Sequence, residues 1–473
     1  MPFVTDLSRR ARGAFAPAAS FASGDALVVV AVEQDGTASL LPTATALPDL
    51  AGSLTALGFT GKPGSTVRVA VDGASVTVVG VRDGATADDL VAAAATGIRA
   101  TTGATRVLVD VDTDPGRLYV AAVLATYRFS AYKSAPVEVE DVVVVGDAPA
   151  DLDRLDDLVA AICLARDITS LPPADKTPAA LADLIAARAA EAGAECRRYE
   201  EDELRELGMN GLLAVAQASD HRPVLLRLSA PGTGDGRVAV VGKGLTYDAG
   251  GLNIKLAMLE MMKLDVGGAA AAVAAVLHAA RFPRRKGLTV WVGLCENVIS
   301  GSAYRGGDVL RMRNGLTVEV ANTDAEGRLT LADGMSLAAD ENPDVLITIA
   351  TLTGAAMAAL GMRTAALMTT DDGLAADVLA AAEAGSEDLW RMPMRAHYAE
   401  PLESQVADLN NLGEMKAQTM IAATFLSRFA PEGTPYAHLD IAAPAYNPGK
   451  PYAQVPHGGT GYGVTTLVEL LDR

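Results

Sequence analysis

The chain has 473 residues, half of them apolar and 21% charged, which excludes a disordered chain and predicts two globular domains rather than one. A formal net charge of −19 argues against a general nucleic-acid binder, because neutralising phosphates needs clustered Lys and Arg. The same charge fits a soluble cytoplasmic protein, and acidic pockets could also hold metal ions.

From the N-terminus, Arg9 and Arg10 form a twin-Arg pair, but Pro17 and several polar residues interrupt the stretch after it, so no export signal is expected. "ALVVVAV" (26–32), "TVRVAV" (66–71), "SVTVVGV" (75–81), "RVLVDV" (106–111) and "VEVEDVVVVG" (137–146) are rich in β-branched residues and read as strands. Residues 86–100 and 115–131 read as helices between them. The first starts with Thr86 and Asp89 in capping-box spacing. This α/β module, residues 1–150, carries no catalytic cluster. A connecting helix over about 151–168 comes next, and "SLPPADKTP" (170–178) breaks the chain.

Residues 151–473 are predicted to form a larger domain. "PVLLRLSA" (223–230), "RVAVVGKG" (237–244), "GLTVWVGLCEN" (287–297), "TVEVAN" (317–322) and "DVLITIATLTG" (344–354) read as strands. Helices are expected over 258–280, 329–340, 372–384 and 417–429. Near-continuous apolar strands alternating with helices predict a mostly parallel central sheet flanked by helices. No stretch reads as a membrane span; "VGGAAAAVAAVLHAA" (266–280) is too short and too Ala-rich. Cys163, Cys196 and Cys295 are far apart and read as buried free thiols of a reducing compartment.

Chemistry in open α/β sheets gathers where strands end in loops. Three such loops carry unusual polar residues. "VGKGLTYDAGGLNIK" (241–255) supplies Lys243, Asp248 and Lys255. "MMKLDVGGAA" (261–270) supplies Asp265, and "NTDAEGRLTLADG" (322–334) supplies Asp324, Glu326 and Arg328. The first is not a nucleotide loop, since Lys243 is followed by Gly244 and Arg237 stands where a Walker A glycine belongs. Any one of these carboxylates alone is an ordinary loop residue. Four of them beside Gly-rich turns in one domain point to a metal site. The five histidines (His221, His278, His397, His438, His457) make no HExxH spacing, so the ligands would be oxygens. Asp324 and Glu326, two apart in an extended segment, would point the same way. Arg328 would open a helix whose N-terminal pole favours an anion, with Leu329, Ala332, Met335 and Ala339 as its buried stripe.

These segments resemble the leucine aminopeptidase family (cytosol aminopeptidases, the M17 peptidases). "NTDAEGRL" is similar to that family's signature. "VGKGLTYDAGGLNIK", "MKLDVGGAA", "CENVISGSAYRGGDVL", "ATLTGA", "AHLDIA" and "GGTGYGV" stand in family order. The resemblance is close over about 160–473 and general before that. It implies an enzyme that releases N-terminal residues, leucine and other apolar ones favoured, from peptides with a free N-terminus. It implies two divalent ions, Mn²⁺ or Zn²⁺ with Mg²⁺ or Co²⁺ as alternatives, and a water activated between them. Lys243, Asp248, Asp265 and Glu326 would hold one ion, and Asp248, Asp324 and Glu326 the other. Lys243 would then be a neutral amine with a strongly depressed pKa. Lys255 would polarise the scissile carbonyl. Arg328, with backbone near Leu352, would hold a bicarbonate as general base. Met262, Thr351 and Gly354 would line the side-chain pocket, and the assembly would be a homohexamer of paired trimers.

Lys255 and Asp265 are ten positions apart where the family usually has eleven, and Leu256 replaces a common Pro. The strain of the shorter loop is expected over 256–260. The alternative function is a DNA-binding regulator or a non-catalytic homologue of the same fold. A two-metal phosphoesterase would share the ion chemistry.

Overall fold

The computed structural model describes residues 8–16, 24–47, 49–71, 73–134 and 139–473, the side chains of 8 and 9 excepted. Pro17 and the start of the strand expected over 137–146 lie outside the described residues. The chain divides into two compact units. One is residues 1–163 with Asn447–His457; the other is Leu164–Tyr446 with Gly458–Arg473.

In the first unit, strand Ala26–Gln34 is buried through Val32 and lies at the centre of a seven-stranded sheet. It pairs in parallel with Arg106–Val109 and Ala74–Val81 and antiparallel with Thr37–Leu40. Arg12–Ala16 and Thr66–Val71 form the edges. Helix Ala87–Ala100 begins with the expected box, Thr86 Oγ1 accepting from Asp89 N while Asp89 accepts from Thr86 N. The helix expected over 115–131 ends at Thr126. Tyr127 turns out of helical geometry, and Arg128–Phe129 pairs antiparallel with Ser8–Arg9 instead. The connecting helix runs from Leu152 to Ser170.

The second unit is built on an eight-stranded sheet. Its strand order is Glu195–Tyr199, Val224–Ala230, Gly287–Asn297, Arg237–Asp248, Val345–Ala350, Tyr436–Asp440, Ala365–Met368, Leu389–Arg391. The central pairings, from Gly287–Asn297 to Tyr436–Asp440, are parallel. Antiparallel pairs occur toward both flanks. Parallel strands send their carboxyl ends to one edge, and there the loop after Arg237–Asp248 emerges; the loop carrying Asp324 and Glu326 follows Thr317–Glu319, which pairs with Val309–Arg311 and Leu409–Asn410 in a separate three-stranded sheet.

Two details aim the site. Strand Arg237–Asp248 holds one extra residue between Leu245 and Tyr247 relative to its neighbour. Regular alternation would send Lys243 and Asp248, five apart, to opposite faces. The bulge reverses the parity after Leu245 and brings them together. Second, the helix expected over 258–280 is two elements, a tight 3₁₀ segment Leu259–Val266 and helix Gly267–Arg281. A Cβ on Gly268 would lie 2.1 Å from Ile349 O, so only glycine lets this helix rest directly on strand Val345–Ala350. That approach sets Asp265, just before the helix, beside Lys243 and Thr351. The stretch Leu259–Arg281 is apolar and long enough to cross a membrane by composition, but 83% of its most apolar window is buried in the protein. It is a core helix.

Candidate metal centre

Six charged side chains meet at the carboxyl edge of the sheet. Lys243 Nζ lies 2.7 Å from Asp265 Oδ2 and 2.9 Å from Glu326 Oε1. Lys255 Nζ lies 2.7 Å from Asp248 Oδ2 and also bonds Asp324 Oδ1. Ligand atoms of Asp248, Asp324 and Glu326 all lie within 4.8 Å of one another. Lys243, Asp248, Asp265 and Glu326 are buried, while Asp324 and Lys255 keep partial exposure.

Neighbouring residues hold these groups in place. Asp248 Oδ1 accepts from Gly250 N at 2.9 Å and from Asn297 Nδ2 at 2.8 Å. Asp265 Oδ1 accepts from Thr351 Oγ1 at 2.7 Å. The loop 322–325 is fixed by Asn411, whose Oδ1 accepts from Ala321 N and Asn322 N, and by Tyr304 and Asn297, which both donate to Thr323 O. Sequence reasoning does not single out Asn297, Tyr304, Thr323 or Asn411. Asn297 and Tyr304 stand inside a family-like segment, but nothing local marks Asn411, which lies 89 positions from its partner Asn322.

Asp324 and Glu326 do come together, though not by strand alternation. Residues 323–324 form a turn, Ala325 N donates to Asn322 O, and Glu326 is already helical at φ −71 and ψ −37. The turn, not a period of two, aims both carboxylates. Helix Gly327–Asp340 continues from there; residues 327–338 are buried on every face, and Ala339 only partly. In place of the single buried stripe expected, this helix is enclosed on all sides.

Burial pushes Asp248 well above the usual carboxylate range, and its neighbours Glu326 and Asp265 add to the effect. Burial likewise lifts Asp265 to about 6, against the pull of Lys243. Glu326 is the exception: burial would raise it, but Lys243 and Lys255 outweigh that and hold it low. Burial would depress Lys243, yet Asp265, Glu326 and Asp248 together hold its ammonium above the ordinary lysine value. The neutral amine expected of Lys243 is therefore not a property of the acids around it. It requires cations in their midst to reverse the sign.

Four carboxylates against two ammonium groups leave an uncompensated negative cluster in a buried place, which is costly without cations. Glu326 Oε2 is buried with no hydrogen-bond partner. An all-oxygen nest with one lysine nitrogen suits hard or borderline divalent ions. The residues present therefore fit a metal centre. No histidine belongs to it: His278 and His438 are buried elsewhere, and His221, His397 and His457 are exposed.

Arg328 is buried, and its Nη1 and Nη2 donate to Leu412 O and Gln418 Oε1, both at 3.2 Å. Its Nε has no partner, and burial draws its pKa down to about 10. Leu352 N, expected to help seat an anion, donates instead to Asp440 Oδ1 at 3.2 Å. Of the pocket residues, Thr351 is buried, Met262 half-buried and Gly354 exposed at the start of helix Gly354–Leu360. Thr351 Cγ2 and Ala445 Cβ both stand 3.2 Å from where a Cβ on Gly267 would be. Met258 takes φ +62, a left-handed backbone that costs a side chain about 1–2 kcal/mol, inside the stretch 256–260.

The model of the cytosol aminopeptidase family catalytic domain (Peptidase M17) matches residues 163–468. Probable cytosol aminopeptidases of Leifsonia xyli and Streptomyces griseus are each 39% identical, covering 97% and 90% of this chain and the same shares of the relatives. Among solved structures, the bottromycin maturation enzyme BotP in complex with Mn is 38% identical with a TM-score of 0.86, covering 95% of this chain and 99% of that one. A mutant of tomato leucine aminopeptidase is 29% identical with a TM-score of 0.86, covering 99% and 98%. The chain thus belongs to the cytosol aminopeptidase family, and it is a metal-dependent aminopeptidase acting on peptides.

Proposed function

We propose that this aminopeptidase is of the leucine type and works with two divalent ions in the nest of Lys243, Asp248, Asp265, Asp324 and Glu326. The observation that carries this reading is the convergence of Asp248, Asp324 and Glu326 to within 4.8 Å beside the partnerless Glu326 Oε2. Lys243, Asp248, Asp265 and Glu326 would hold one ion, and Asp248, Asp324 and Glu326 the other. The manganese named for BotP favours Mn²⁺ here, with Zn²⁺, Mg²⁺ and Co²⁺ as alternatives. Bound there, the ions would supply an activated water, a Lewis-acid pull on the scissile carbonyl and a seat for the substrate's α-amine.

The protein's own groups do the rest. Lys243 would hold an ion only as the neutral amine. Lys255 would serve as an ammonium: among these acids alone, burial, which would lower its pKa, is outweighed by Asp248, Glu326 and Asp324. Two of its three donors are engaged by Asp248 and Asp324, and the third would donate to the carbonyl oxygen where negative charge develops. Arg328, with Nε unpartnered, would orient a bicarbonate as general base. Met262, Thr351 and Gly354 would line a pocket for leucine and similar side chains. The family likeness supports a homohexamer of paired trimers, with residues 1–150 serving assembly or regulation and 151–473 catalysis, in the cytoplasm.

The test is an assay of a leucyl anilide beside a phosphomonoester, after chelation and after return of Mn²⁺, Zn²⁺, Co²⁺ or Mg²⁺. Only the anilide should be cleaved, and only with metal. Lys255→Ala and Asp324→Asn should each lower kcat by about a hundredfold or more. Full activity in either variant contradicts the assignment.

A further inference from the structure

Lys176 is fully buried and has no part in the chemistry above. Its Nζ donates to Ile168 O at 3.1 Å, to Thr169 O at 3.3 Å and to Lys263 O at 2.5 Å. An ammonium has three donors and no acceptor, so three carbonyls satisfy it in full, whereas a neutral amine would turn its lone pair on one of them. Burial, with Lys263 behind it, pulls the pKa of Lys176 well down, and Asp265 opposes that pull.

The three carbonyls belong to two elements. Ile168 and Thr169 lie in the last turn of helix Leu152–Ser170, where a cation meets the negative pole and the unpaired carbonyls. Lys263 lies in the short segment Leu259–Val266, between Met262 and Asp265. Downstream, that segment is steadied by helix Gly267–Arg281 resting on the sheet. Upstream it hangs on a loop in which Leu256 is 96% exposed and Met258 is left-handed.

We propose that Lys176 is a positioning residue: by clamping Lys263 O to the end of helix Leu152–Ser170, it sets where Asp265 meets Lys243 and how far Met262 reaches into the side-chain pocket. The inference rests on Asp265 being a metal ligand. Lys176→Met keeps the length of the side chain and removes all three donors. Its Mn²⁺ affinity, measured by calorimetric titration of the stripped protein, should fall by about tenfold to a hundredfold. KM for a leucyl anilide should rise, and excess Mn²⁺ should bring kcat back toward wild type. A purely structural residue would lower the melting temperature and leave the Mn²⁺ affinity of the folded protein unchanged, and that result overturns the proposal. Asp265→Asn is titrated alongside. If it binds Mn²⁺ like wild type, the ligand assignment fails and the inference falls with it. If it loses an ion while Lys176→Met does not, only the inference falls. Should Lys176→Met not fold, Lys176→Gln, with two donors in place of three, is titrated in its place and should show a smaller weakening in the same direction, while an unchanged Mn²⁺ affinity overturns the proposal. If neither folds, Lys176 serves global packing and the proposal is wrong.

Discussion

At the scale of single residues, Gly327 has a role that its place in "DAEGR" does not announce. A Cβ there would lie 2.5 Å from Lys243 Cε and 2.7 Å from Nζ. The obstructing atoms are the tip of a flexible chain, so Gly327→Ala should remain folded, at a cost near the low end of overpacking, about 1 kcal/mol. The tip it displaces is the nitrogen proposed as a ligand. The variant should therefore lose kcat/KM and Mn²⁺ affinity by about tenfold or more, as misplacing a metal site's supports does. Thermal melts beside metal titrations check the split. Equal, small changes in both would show that Lys243 has room to move.

At the scale of elements, buried Asp333 ties two helices. It projects from Gly327–Asp340, and its Oδ2 accepts from Gly211 N at 2.7 Å and Leu212 N at 3.0 Å, at the start of helix Asn210–Ala216. Burial lifts its pKa from 3.8 to about 7, despite those N–H groups. The folded protein therefore holds a proton that the unfolded chain releases near 3.8. This contribution to stability is fully present below that value, declines as pH rises toward 7 and is level above it. The total is about 4 kcal/mol. Urea unfolding of wild type and Asp333→Asn should show wild type losing ground to the variant between pH 4 and 7. Parallel curves would mean that Asp333 is already ionised in the fold.

The elements also show what the sequence could and could not convey. Strand Gly287–Asn297 is legible because its apolar run is bounded and β-rich. Ala365–Met368 is not, since "AALM" has no β-branched residue and is a strand only through its neighbours. Helix Pro178–Ala192 has readable signals, Thr177 as cap, Pro178 at the first position and Gly193 after the end, but reading "SLPPADKTP" as a simple break hides them. Six charged residues of the centre are visible as family-like motifs. The bulge that brings Lys243 and Asp248 to one side, the tie of loop 322–325 to Asn411, and the clamp of Lys176 on Lys263 depend on contacts distant in sequence. No local pattern encodes those.

For the whole molecule, the parallel middle of the sheet delivers Lys243 and Asp248 to one edge, while Asp324, Glu326 and Arg328 reach that edge through the loop after Thr317–Glu319, a strand of a separate three-stranded sheet. The proposed homohexamer predicts a particle about six times the 48.6 kDa chain by light scattering, and a monomer would remove the assembly role proposed for residues 1–150. The central claim is that this edge is a two-ion centre. Crystals soaked in Mn²⁺ and measured for anomalous scattering test it most directly. Two peaks are predicted, one bounded by Lys243, Asp248, Asp265 and Glu326, the other by Asp248, Asp324 and Glu326. A single peak, or none among these side chains, would contradict the account.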